Sequence, residues 1–152
     1  MSWTLALPVI GGGVILTIPA VHARRPWFGA RAASLMFAAA TLILAAMAAG
    51  WMDLSGNKQL VQRADWLKSF GIHYEVAVTG LSLPLVMLTA AMGAVAAWAS
   101  YNIKQSVRGY FVLIQWATAA ALGVLVLQDV FMSAAAAAAL VVLVYFLAAG
   151  WG

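Results

Sequence analysis

The chain has no cysteine, which excludes disulfides, thiolate metal sites and thiol nucleophiles. Charge is almost as scarce. Only 8% of its 152 residues are Asp, Glu, Lys or Arg, where a soluble domain carries about 25%. That shortage argues against a water-soluble fold and makes the bilayer the expected solvent. Motifs are missing too. No Ser-His-Asp set, phosphate-binding loop, dinucleotide fingerprint or haem-ligand pair occurs. The Gly11-Gly12-Gly13 triplet lies in an apolar run with no lysine after it, so a kink or close helix packing is its expected use. A cleaved signal peptide is not expected, because no basic segment precedes the first apolar run.

Two thirds of the sequence is hydrophobic. Lipid leaves backbone N–H and C=O groups to satisfy one another, so only helices or closed barrels span it. The apolar runs here do not alternate with polar residues, which selects helices. A span needs about 20 mainly apolar residues. Five segments meet that length: Trp3 to Val21, Ala32 to Met52, Leu81 to Tyr101, Tyr110 to Leu127 and Val130 to Trp151. Pro84 falls in the first turn of the third, where a missing N–H costs least. The expected fold is all-α, a polytopic bundle of about five spanning helices forming a single membrane domain over residues 1–152, with an external loop at 53–80 that contains a short strand or hairpin.

The net charge is +4. Its cations lie between apolar runs, so they are expected to set topology and touch anionic lipid heads rather than nucleic acid. The first loop holds Arg24, Arg25 and Arg31 and the third Lys104 and Arg108, neither with an acid. The second mixes Lys58, Arg63 and Lys68 with Asp53, Asp65 and Glu75. Loops one and three are therefore expected to be cytoplasmic, with the N-terminus outside, the C-terminus inside and the chain in a bacterial plasma membrane. Trp3, Trp27, Trp51, Trp98 and Trp151 stand near segment ends, as an aromatic belt requires. Trp116 is mid-segment and is expected between helices.

Within the external loop, "NKQLVQRADWLKSF" reads as a short amphipathic helix or turn at the membrane surface. "IHYEVAV" alternates and reads as a strand, which needs a partner from the same loop or another subunit. No spanning segment carries an ionisable residue near its middle, where one would mark an ion path. Asp129 is the weak candidate for such a path; its simpler reading is a turn or a helix N-terminal acid. His73 lacks the two further ligands that a metal would want. Gln115, Gln128 and Thr118 are expected to hydrogen-bond between helices. No catalytic, cofactor-binding or metal site is expected.

One stretch carries more. "FGIHYEVAVTGLSLPLVMLTAAM" followed by "ASYNIKQSVRGYFVLIQW" resembles the antiporter-like subunit M of bacterial respiratory NADH:quinone oxidoreductase (complex I). The matching positions are Ile72-His73-Tyr74, the run Gly80, Leu81, Ser82, Leu83, Pro84, Leu85, Val86, then Leu88-Thr89 and Tyr110-Phe111. "QDVFM" and "VYFLAAGWG" resemble the two ends of the family's fifth helix. The resemblance implies a membrane-arm subunit, partnered by other subunits of a respiratory complex and carrying no cofactor. It also implies what is missing. The family has Asp where this chain has Thr79. Its membrane-embedded Glu of the fifth helix, central to proton translocation, falls on Ala138, within six alanines from Ala134 to Ala139. A degenerate or split paralogue, an engineered replacement and an alanine stand-in for unassigned side chains all account for that run. The expected role is helix packing and subunit contact within a proton-translocating assembly. The alternative is a stand-alone or engineered structural bundle without transport activity.

Overall fold

The structure, a computed structural model, describes residues 2–17, 26–50, 59–67, 72–78, 82–103 and 106–152. Five helices occur in it: α1 (Ser2–Thr17), α2 (Pro26–Gly50), α3 (Ser82–Ala99), α4 (Val107–Val126) and α5 (Val130–Trp151). A single 3-10 turn, Ser100–Asn102, follows α3. Between α2 and α3 lie two strands, β1 (Gln59–Leu67) and β2 (Ile72–Val78). The all-α membrane bundle with an intervening hairpin is therefore the observed architecture.

Four helices, α2 to α5, are long and apolar enough to cross a membrane. The described part of α1 has 16 residues, about 24 Å at 1.5 Å per residue. The rest of the predicted first segment, to Val21, lies outside the described residues. Two other boundaries move. α2 begins at Pro26, six residues before the predicted start, and α4 begins at Val107, three before. Arg31 and Arg108 are thus helical rather than loop residues. Each stands in the opening turns of its helix, where a long cationic side chain reaches the end of the bundle while its stem packs along apolar surface.

The segment expected as a short amphipathic helix or turn is a strand over Gln59–Leu67. β1 pairs antiparallel with β2, with Arg63 opposite Glu75, Ala64 opposite Tyr74 and Asp65 opposite His73. Pairing supplies the partner that the alternating "IHYEVAV" requires. β1 itself shows no clean alternation, since Leu60-Val61 and Trp66-Leu67 are adjacent apolar pairs. The register shifts between Gln59 and Gln62 and between Asp65 and Leu67, the same places as those pairs, as a bulge with its extra residue would.

Helix α4 is the centre. It packs against α1, α2, α3 and α5, while α5 packs chiefly on α4. Two apolar clusters hold the bundle. One joins Ala45 of α2, Leu83, Val86 and Ala90 of α3, and Leu122 and Val126 of α4. The other joins Ile15 of α1, Ala30 and Ala38 of α2, Ala97 of α3, and Phe111 and Val112 of α4. In lipid, apolar burial gives little drive, so close packing of small residues decides the approach.

The glycines show where that approach is closest. A methyl on Gly11 would stand 2.7 Å from Cγ of Phe37 on α2, and one on Gly12 would overlap the indole nitrogen of Trp116 on α4. Gly13 faces open space. On α3, a methyl at Gly93 would lie 2.7 Å from both Cγ2 and Oγ1 of Thr118. The triplet is therefore a packing device, two of its three glycines meeting two different helices.

Candidate functional site

A groove with a volume of about 930 Å³ lies between α1, α4 and α5. Leu5 and Val9 of α1, Trp116 and Ala120 of α4, and Ala138 and Ala139 of α5 are among its walls. Its form follows from the alanine run. Ala136 sits so close to α4 that a methyl on Gly123 would be 3.2 Å from its Cβ, and small residues on both sides are what permit that crossing. Ala138 and Ala139, two and three residues further on, present only methyl groups to the groove.

Trp116 closes the α1 side. Its Nε1–H donates to the carbonyl of Val9 at 3.3 Å, which satisfies the one polar atom of the indole. The expectation that Trp116 packs between helices is met. Ala138, where the resemblance places the family's Glu, thus lines a hydrocarbon groove. No proton acceptor or donor other than that indole N–H is contributed by the residues named here. Among the described residues, no group of three His, Cys, Asp or Glu could hold a metal ion.

Asp129 is the N-cap of α5. Its Oδ1 accepts from the backbone N–H groups of Phe131 at 2.8 Å and Met132 at 3.4 Å. This satisfies donors that a helix start otherwise leaves open. The geometry is that of the simpler of the two sequence readings.

Of the polar residues within spans, Gln115 does bridge helices: its Nε2 donates to the Ser34 carbonyl of α2 at 3.2 Å. Thr118 does not. Its hydroxyl donates to Ile114 O on its own helix at 2.9 Å, as Thr41 does to Phe37 O and Thr89 to Leu85 O. No sequence signal distinguishes these cases, because the deciding neighbour of Gln115 is 81 residues away.

A polar cluster lies at one end of the bundle. The Arg31 guanidinium on α2 donates to Ile103 O in the α3–α4 connection at 2.7 Å. Ser100 Oγ and Tyr110 Oη share a hydrogen bond of 2.8 Å, and the Tyr110 ring meets Trp151 edge-on at 5.4 Å. The starts of α2 and α4 and the ends of α3 and α5 therefore share an end, and two of the cations used to orient the chain, Arg31 and Arg108, are on it. Of the family-motif residues, Ser82 opens α3, Leu83 is buried and Pro84 is exposed in the first turn. Thr79, Gly80 and Leu81 lie outside the described residues, and nothing is described of the His73 side chain.

No family model matches the chain. Curated relatives do. It is 32% identical over 149 residues to NAD(P)H-quinone oxidoreductase chain 4 3 of Trichormus variabilis, covering 97% of this chain and 27% of that protein. To chain 4 1 of a Synechococcus species it is 34% identical over 154 residues, all of this chain and 28% of the relative. Chain 4 1 of a Nostoc species matches at 31% over 149 residues, again 97% of this chain and 27% of the relative. The chain spans about a quarter of the length of these proteins. Four helices long and apolar enough to cross a membrane, together with this similarity along nearly the whole chain, make it a membrane-embedded protein similar to one part of NAD(P)H-quinone oxidoreductase chain 4.

Proposed function

We propose that the chain is an antiporter-like membrane-arm subunit, or a fragment of one, of a proton-translocating NAD(P)H-quinone oxidoreductase. Its task there is helix packing and contact with other membrane subunits. The observation that carries this reading is the similarity to chain 4 across 97% of the chain. The "GLSLPL" stretch, which resembles subunit M of the bacterial complex, supports the finer assignment. In this reading the chain carries no redox cofactor and no pumping residue. Proton relay through lipid requires ionisable groups that face a cavity, and the groove at Ala138 has hydrocarbon walls where the family's Glu would stand.

The orientation we propose has the N-terminus outside and the C-terminus in the cytoplasm of a bacterial cell. Loops one and three, together with the opening turns of α2 and α4 that follow them, hold five cations and no acid, and retention of such segments in the cytoplasm is the general rule. The joining of Arg31 to the α3–α4 connection supports placing both loops at one end of the bundle.

Affinity purification of the tagged protein from its own membranes tests the assembly. Other oxidoreductase subunits in the eluate support it. A lone monomer or homo-oligomer overturns it in favour of a stand-alone structural bundle. Reconstitution of the purified chain in liposomes tests the second half of the reading: saturable, pH-dependent proton flux would contradict a purely structural role.

A further inference from the structure

The contact between Gln115 and Ser34 is incomplete. Both residues are inside the bundle, Gln115 1% exposed and Ser34 fully buried. Each is the ninth residue of its helix. Because Gln115 Nε2 faces the Ser34 carbonyl, the orientation of the amide is fixed: the nitrogen must be on that side, since a carbonyl only accepts. That leaves Gln115 Oε1 buried with no donor and Ser34 Oγ buried with no partner. Ser34 departs from its neighbours in this. The hydroxyls of Thr41, Thr89, Ser100 and Thr118 all donate to the carbonyl four residues earlier.

Both oxygens belong to the two residues that this one hydrogen bond joins, at the contact of α2 with α4. Lipid cannot satisfy them. The chemistry of the two atoms selects the ligand. Oε1 only accepts, so the ligand must donate; Oγ donates or accepts. Neither side chain carries a charge, so a metal ion or ammonium finds no counter-ion. The near-complete burial of both residues restricts the ligand to a very small neutral molecule. We propose that one internal water molecule bridges Gln115 Oε1 and Ser34 Oγ. It donates one O–H to the amide oxygen and exchanges a second hydrogen bond with the hydroxyl, completing a three-part link of α4 to α2. Buried waters of this kind hold two to four such bonds.

A structure of the protein in its native membrane assembly, at a resolution that shows ordered water, tests this. The expected result is a solvent peak within about 2.6–3.2 Å of both oxygens. A direct Ser34 Oγ–Gln115 Oε1 hydrogen bond, or no peak beside Oε1, overturns it. Difference infrared spectroscopy in H₂¹⁸O against H₂¹⁶O gives a second readout. The expected result is an isotope-shifted water O–H band in the wild type that is missing from the Ser34→Ala/Gln115→Leu variant. The same band in both proteins, or in neither, overturns the assignment.

Discussion

The indole of Trp116 on α4 occupies the space where a side chain at Gly12 of α1 would stand. The same indole donates to the Val9 carbonyl one turn earlier on α1. The close approach of α1 to α4 at this point thus depends on the absence of one methyl group. Gly12→Ala is expected to destabilise the bundle by about 1–3 kcal/mol, the range for overpacking. Gly13→Ala, at a neighbour that faces open space, is expected to be neutral or slightly stabilising, because alanine is the better helix former. Thermal unfolding in detergent checks both, and equal melting temperatures for the two variants would contradict the contact.

The alanine run is sorted by the same test. Ala136 faces Gly123 at the α4–α5 crossing, while Ala135 is exposed. Ala136→Leu is expected to push α5 away from α4 and lower stability by about 1–3 kcal/mol. Ala135→Leu is expected to leave stability within about 0.5 kcal/mol. Cross-linking of engineered cysteines on α4 and α5, read beside the melting curves, checks whether the helices have separated.

Asp129 separates a cap from an ion path. Asp129→Ala is expected to cost about 0.5–2 kcal/mol, as loss of an N-cap does. Asp129→Asn keeps an oxygen that accepts from Phe131 and Met132 and is expected to retain most of the stability. Ion-path chemistry would instead require the ionisable carboxyl, so the two variants would then lose transport alike in the intact assembly.

How much of this was legible in the sequence depended on whether the deciding neighbour was local. The bounds of α5 were, because a long apolar run follows a capping acid. The start of α2 was not: Arg31 looked like a loop cation, yet its guanidinium finds Ile103 O 72 residues away. β1 reads as an amphipathic helix or turn because its apolar residues come in adjacent pairs, Leu60-Val61 and Trp66-Leu67, at the places where its register with β2 shifts. At the groove, the sequence placed Ala138 on the family's Glu position but could not say what it faced. Three identical letters at Gly11, Gly12 and Gly13 likewise hid three different environments, a phenylalanine, a tryptophan and open space.

Arg31 provides a test at the bundle end. Its hydrogen bond to Ile103 O involves a charged donor, a type worth about 1.5–3 kcal/mol. Arg31→Met keeps the apolar stem and removes the donor. It is expected to lower stability by up to that amount and to raise protease sensitivity of the α3–α4 connection, as limited proteolysis would show.

Membership of a quinone-reducing assembly is checked most directly by native electrophoresis of gently solubilised membranes containing the tagged chain. The account predicts that the tag migrates in a high-mass band that also stains for NAD(P)H-dependent quinone reductase activity. Migration only at the mass of the chain or its homo-oligomer, with the activity elsewhere on the gel, would contradict it.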